Sequence, residues 1–178
     1  MAINFKNIAY LKHGNQRQRL AFSELNKYKI LEKLKKYNPI LTGTIPIDID
    51  IAESDLDIIC ECKNNAEFLA YLQQEFSTYK NFKVYTTLQN NITATIAEFR
   101  TEHFLFEIFG QDIPTTKQNA YLHMVIEHQI LQEKGVDFKQ QIKELKNSGI
   151  KTEPAFAKLL GLKGDPYAAL LELKDKIH

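Results

Sequence analysis

The sequence predicts an α+β fold, a mixed β-sheet flanked by helices with a further helical part at the C-terminus. Three observations carry this. Both ends of the chain place apolar side chains at helical spacing. The middle holds short strand-like runs separated by turn residues. No internal repeat, low-complexity tract or long linker interrupts the 178 residues. Helices, then strands, then helices make segregated layers rather than an alternating α/β array.

The elements follow in order. Phe5 to Lys12 is a short helix candidate stopped by Gly14. From Gln16 to Tyr37, the residues Leu20, Phe22, Leu25, Tyr28, Ile30, Leu31 and Leu34 recur at helical spacing, and Asn38-Pro39 ends the helix. Ile40 to Thr42 is a short strand leading into Gly43, and Ser54 to Cys62 is a second. Asn64 and Asn65 precede a helix from Ala66 to Tyr79 with Phe68, Leu69, Leu72 and Phe76 on one stripe. Phe82 to Leu88 and Ile92 to Phe99 are strands joined at Asn90-Asn91. Arg100-Thr101-Glu102-His103 is a hairpin loop into a strand from Phe104 to Phe109, and Gly110 and Pro114 break the chain. Thr115 or Thr116 caps a helix from Lys117 to Lys134, ended by Gly135, and Asp137 to Asn147 is the next, closed by Gly149. Thr152-Glu153-Pro154 opens a helix to Leu160 with proline in its first turn, and Asp165-Pro166 opens the last, through Leu173. Residues 1–115 are thus expected to form the α/β core with its N-terminal helices. Residues 116–178 are expected to form a helical part packed on it as one unit.

Composition narrows the function classes. The formal net charge is +1, so bulk charge argues for neither nucleic acid nor a membrane surface. Lys33, Lys35 and Lys36 cluster at a helix end, which reads as a solvated terminus. The Phe and Tyr residues are scattered and form no stacking platform for bases. Cys60 and Cys62 lie two apart on one strand, where a mutual bridge is geometrically poor. They read as buried reduced thiols, which points to the cytoplasm. The N-terminus lacks a signal-peptide apolar region, and no apolar stretch is long enough to cross a bilayer.

The chemistry concentrates between Leu41 and Ile58. Alternation on a strand places Asp55 and Asp57 on one face and turns Leu56, Ile58 and Cys60 to the other. Two neighbouring carboxylates at an apolar strand are costly unless a cation binds between them. Gly43 lets backbone approach a phosphate closely. The structural alternative is a loop-to-strand boundary with Asp55 exposed and Asp57 paired to Lys or Arg.

Thr42-Gly43-Thr44, followed after a gap by Asp55-Leu56-Asp57-Ile58, resembles the signature of the nucleotidyltransferase superfamily, the DNA polymerase β-like fold. The chain resembles more closely a family of small uncharacterised bacterial proteins of that superfamily. The matching segments are Gly43-Thr44-Ile45-Pro46, Ser54 to Ile58, Gln118-Asn119-Ala120-Tyr121, Thr152 to Ala157 and Gly164-Asp165-Pro166-Tyr167. The resemblance implies a nucleotidyltransferase-like sheet and transfer of a nucleotidyl group from an NTP to an unknown acceptor. It implies Asp55, Asp57 and a third acid, Glu107, as ligands for one or two Mg²⁺ or Mn²⁺ ions. Gly43, Thr44 and Ser54 would bind the nucleotide phosphates. The alternative is an inactive nucleotide-binding or regulatory module of the same fold, and nucleic acid is not favoured as acceptor.

The chain departs from the signature at three places. Thr44 replaces Ser or Gly, Glu107 replaces Asp, and Ile45-Pro46-Ile47-Asp48-Ile49 reads as an extended loop or hairpin where a helix usually follows. Glu98 competes with Glu107 by strand position, and a salt bridge to Arg100 is the structural reading of Glu107. Asp48 and Asp50 read as solvated loop acids, Arg17 and Arg19 as surface cations. His123 and Glu127, four apart on one helix with Gln118 and Asn119 at its start, read either as a site-facing polar stripe or as an ordinary exposed helix pair, the latter favoured for Glu127. Helix capping accounts for Thr152-Glu153-Pro154 and Asp165-Pro166.

Overall fold

A capping box starts the first long helix: the Asn15 side chain accepts from the Gln18 N–H, and the Gln18 side chain accepts from the Asn15 N–H. The computed structural model describes residues 3–89 and 91–174. The Asn90 half of the predicted turn and the last four residues therefore lie outside the described residues. A 3₁₀ turn, Ala9–His13, stands where a short helix was expected, and α1 runs over Gln16–Lys27.

The single helix predicted from Gln16 to Tyr37 is in fact three pieces. Lys29 adopts a left-handed φ of 53°, after which α2 spans only Ile30–Lys33 and a 3₁₀ turn covers Lys35–Tyr37. The bend puts Ile30, Leu34 and Tyr37 into the same core as Leu25. Apolar spacing does not register a one-residue break whose two sides serve one core.

Five strands follow: β1 (Ile40–Thr42), β2 (Leu56–Glu61), β3 (Lys80–Gln89), β4 (Ile92–Arg100) and β5 (Leu105–Gln111), with α3 (Asn65–Phe76) between β2 and β3. They form one mixed sheet in the order β1-β2-β5-β4-β3, in which only β2 and β5 are parallel. One face carries Leu56, Ile58, Cys60, Phe106, Ile108, Ala97 and Phe99 into a core completed by Phe68, Leu72 and Phe76 of α3 and Leu25 of α1. The rings of Phe76, Phe99 and Phe106 stack at 5.0 and 5.1 Å between centroids. Cys60 and Cys62 are buried free thiols, as expected.

Gly110 does not break β5. The strand passes through it to Gln111, and glycine is needed there because a β-carbon would collide with the Phe68 ring. Gly110→Ala is expected to cost about 1–3 kcal/mol, the usual penalty of overpacking a filled core. Chemical denaturation checks this, and an unchanged midpoint would contradict the packing argument.

The other end of the sheet is covered by helices. α4 spans Asn119–Asn147 and breaks at Gly135, where φ is 79° and ψ is −166°. It does not begin at a threonine cap. Thr115–Lys117 is a 3₁₀ turn, and Gln118 precedes the helix with its side-chain Nε2 donating to the Cys60 and Ile113 carbonyls at 2.9 Å each. This ties the helix start to β2. α5 (Thr152–Leu160) and α6 (Pro166–Leu171) pack with α4 around Met124, Ile126, Ile130, Leu131, Ile142, Phe156 and Leu170. Phe5, Ile47 and Ile49 enter this second core from the N-terminal half. Among the described residues, no helix is long and apolar enough to cross a membrane.

Candidate active site

Strand register lines up one polar row across the sheet. Thr42 faces Asp57, Asp57 faces Glu107, Glu107 faces Glu98 and Glu98 faces Lys83. Directly opposite residues share a face, so these side chains lie opposite to the first core. Alternation along β2 explains Asp57, since Leu56 and Ile58 on either side are fully buried in that core.

Asp57 and Glu107 line the floor of a cleft of about 590 Å³. Among the described residues, no Lys, Arg or His reaches Asp55, Asp57 or Glu107 within 4.0 Å, and the pairing of Glu107 with Arg100 is not formed. Crowding shows in their acidity. Burial, then the Asp55 and Glu107 carboxylates, pushes Asp57 up to about 8. Burial, Asp55 and Glu98 raise Glu107. Glu98 stands one strand further out, accepts from the Tyr85 hydroxyl at 2.9 Å and does not line the cleft. Asp55 sits just before β2, half-buried and outside the cleft lining, and acts on both floor acids through space.

Gly43 fits against this floor because it has no side chain. Its φ is +82°, and a β-carbon would collide with Asp57 Oδ2. The segment after it is a closed turn, not the extended loop or hairpin expected. The Ile49 N–H donates to the Thr44 carbonyl at 3.1 Å, the Asp48 N–H to the Ile45 carbonyl at 3.2 Å, and Asp48 takes a left-handed φ of 58°. The isoleucines decide this, since Ile45 enters the first core and Ile47 and Ile49 the second. One β-branched run thus serves two cores, which a strand pattern cannot reveal.

The turn is braced on all sides. Gln18 Nε2 donates to the Ile45 carbonyl at 2.8 Å and Lys146 Nζ to the Ile49 carbonyl at 2.8 Å. Asp48 is not a free loop acid: partly exposed, it pairs with Lys139 and with Lys143 at 3.3 Å, and accepts from Asn15. Asp50 is likewise buried against Arg17 at 3.6 Å. Arg17 is therefore not a free surface cation, since it also donates to the Ser54 carbonyl and lies over the Phe104 ring. Ser54 Oγ accepts from the Ile51 N–H at 3.0 Å and from the Thr44 hydroxyl at 3.2 Å. Ser54 thus braces the turn from behind, while Gly43 and Thr44 line the cleft.

The opposite wall comes from α4, α5 and α6. His123, Met124, Glu127, Thr152, Glu153 and Tyr167 line it. Glu127 is buried rather than exposed, its Oε1 without a hydrogen-bond partner, and burial together with Glu153 raises its carboxyl well above the usual range. His123 Nδ1 lies 3.7 Å from Glu153 Oε1, and Nε2 lies 3.0 Å from the Tyr167 carbonyl. Glu153 is more than a first-turn acid on a capped helix: Lys151 occupies the cap position, and Glu153 faces the cleft. A signal for Glu127 existed. It lies four residues before Leu131 and three before Ile130, both buried, so it shares the inward stripe. Burial pushes Lys146 down to about 8, against the pull of Glu127, Asp50 and Glu153.

The floor suits a hard divalent cation. Its donors are carboxylates only, adjacent in register and without a cationic partner. Glu24, Glu102 and His103 form a tighter group, with ligand atoms within 4.8 Å of one another. Those residues are already engaged: Glu24 accepts from the His103 N–H at 2.9 Å and from Thr101, and Glu102 pairs with Lys27 at 2.8 Å. They fasten the β4–β5 hairpin to α1.

A raised carboxyl fixes the sign of a pH effect. Between the ordinary Asp57 value of 3.8 and its folded value of about 8, the folded state holds more protons than the unfolded state, so stability falls as pH rises. Lys146, lowered to about 8, acts in the opposite sense only above that value. The metal-free melting temperature is expected to fall from pH 5.5 to pH 8. Added Mg²⁺ or Mn²⁺ should raise it more at pH 8, where protons compete less for the site. Equal stabilisation by metal at both pH values would contradict the assignment.

Comparison with known proteins is consistent with this architecture. Residues 23–173 match the family described as "Domain of unknown function (DUF4269)". No curated protein sequence matches the chain. The Cid1 poly(U) polymerase bound to Mg and 3′-dATP aligns with a TM-score of 0.55 at 11% identity, covering 88% of this chain and 48% of that one. The GLD-2/RNP-8 complex aligns at 0.52 and 10% identity, over 89% of this chain and 57% of that one. A structure of Cid1 concerned with its RNA terminal uridylyl transferase activity aligns at 0.53 and 10% identity, over 75% and 40%. The chain spans about half the length of these structures. The likeness shows a nucleotidyltransferase-like fold, as the sequence predicted.

Proposed function

We propose a function from family and cleft together: the chain belongs to the DUF4269 family, and its cleft serves metal-dependent transfer of a nucleotidyl group from an NTP to a second substrate. The observation that supports it most is the pairing of Asp57 with Glu107, adjacent in register, without a cationic partner, with the Gly43 backbone against Asp57. Asp57 and Glu107, with Asp55 beside them, would hold Mg²⁺ or Mn²⁺, one or two ions. The bound metal supplies positive charge to phosphoryl oxygens. Gly43 keeps that end of the cleft clear of side chain, so triphosphate can approach the backbone, and Thr44 stands at the same end. In the transfer, the acceptor oxygen bonds to the α-phosphorus while the bond to the α–β bridging oxygen breaks. Pyrophosphate leaves with that electron pair, and the acceptor proton passes to water.

The lining contains no run of basic residues, which favours a small acceptor over a nucleic acid. The free thiols Cys60 and Cys62 fit a reducing, cytoplasmic setting. One observation favours a second reading, nucleotide binding without turnover. Lys139 and Lys143 are held by Asp48 and do not line the cleft, and the Thr44 hydroxyl is held by Ser54. Incubation with labelled NTPs, Mn²⁺ and pooled hydroxyl acceptors separates the two. A nucleotidylated product supports transfer. Nucleotide binding by calorimetry with no product by mass spectrometry supports the binding module. Absence of Mn²⁺–NTP binding would overturn both.

A further inference from the structure

The helix wall of the cleft holds buried hydrogen-bond acceptors that lack partners. Glu127 is only 4% exposed, and its Oε1 has no partner. Gln118, 2% exposed, uses its amide nitrogen on Cys60 and Ile113 and leaves its oxygen unpaired. Glu153 lines the same wall and has only the long contact to His123 at 3.7 Å. Buried acceptors left unpaired carry their full desolvation cost, and a buried carboxylate carries more.

The protein's own cations do not answer this need. Lys146 acts on Glu127 through space, but its ammonium is held at the Ile49 carbonyl and makes no ion pair within 4.0 Å among the described residues. The His123 ring is shared between Glu153 and the Tyr167 carbonyl. Lys117 is exposed at the cleft edge. The floor acids have a partner in the proposed metal, whereas Glu127 on the wall has none.

We infer that this wall seats the second substrate, and that this substrate is an amino alcohol or amino sugar whose primary ammonium lies at Glu127 and Glu153. The inference rests on the proposed nucleotidyl transfer and names its acceptor class. An ammonium brings three donors and a full positive charge to the unpaired oxygens of Gln118 and Glu127 and to the Glu153 carboxylate. A neutral polyol brings donors but no charge to set against the two carboxylates Glu127 and Glu153, which share only the more distant Lys146. Discrimination between the two is therefore built into the wall, and the hydroxyl that receives the nucleotidyl group is carried by the same molecule.

Saturation-transfer NMR with glucosamine and glucose, in Mg²⁺ and a non-hydrolysable α,β-methylene ATP analogue, tests this. Wild type should bind glucosamine at least tenfold more tightly than glucose. Glu127→Gln and Glu153→Gln should each remove most of that preference while still binding the ATP analogue. Thermal melts establish that each variant is folded, and either one alone carries the test. Equal binding of glucose and glucosamine would overturn the inference, as would wild-type preference in both variants. So would variants that lose the ATP analogue instead, since the wall would then serve the nucleotide. Failure of wild type to bind the ATP analogue would count against nucleotidyl transfer itself, because the amine preference is read separately.

Discussion

Asp57→Asn should abolish metal-dependent nucleotide binding and yet melt at a higher temperature than wild type in metal-free buffer at pH 8. The two effects have one cause. Asp57 is half-buried between Asp55 and Glu107 with no ion-pair partner among the described residues, and this raises its carboxyl to about 8. Removing the charge removes the repulsion, and for a domain of this size each kcal/mol recovered raises Tm by roughly 2–4 °C. The same change deletes a ligand from a site that carboxylates alone compose. Any transfer activity should drop at least about 100-fold, the scale of losing one preorganised electrostatic group. Calorimetric titration of Mn²⁺–ATP together with a metal-free melt reads both effects. A variant that keeps wild-type Mn²⁺-dependent binding would remove Asp57 from the site.

Gly43→Ala should lower both stability and nucleotide affinity through contact with that same carboxylate. At a φ of +82°, an alanine pays about 1–2 kcal/mol for the left-handed conformation alone. Its β-carbon also meets Asp57 Oδ2, which has to move. A Tm loss of about 2–8 °C follows from the strain, with at least a tenfold loss of Mn²⁺–ATP affinity from the displaced acid. A double-mutant cycle separates the contributions. In an Asp57→Ala background the collision is gone, so Gly43→Ala should cost less there than in wild type. An equal cost in both backgrounds would show that only the backbone strain operates.

Much of this arrangement is legible along the chain. Asp57 stands between Leu56 and Ile58, and alternation alone separates the acid face from the core face. Most helix and strand types also follow from local pattern, because their apolar residues recur on the buried side. Legibility fails where one segment serves two neighbours. Ile45, Ile47 and Ile49 alternate like a strand, but they feed two different cores and the chain closes into a turn. Asp48 and Asp50 look solvated until Lys139, Lys143 and Arg17 arrive from elements far away in sequence. Gly110 reads as a breaker because its partner, the Phe68 ring, lies on another element.

The choice between Glu98 and Glu107 marks the same boundary. In the hairpin the two face each other and are equivalent by pattern. β5, not β4, pairs with β2, and that crossover puts Glu107 beside Asp57. Glu127 and Glu153 likewise meet only because α5 folds back onto α4. The sequence by itself determined the α+β class, the acid face of β2 and the glycine that precedes it, since alternation and backbone freedom are local properties. The tertiary structure alone decided which glutamate stands beside Asp57 and which acids lack a partner. Register and burial depend on residues that the local pattern does not contain.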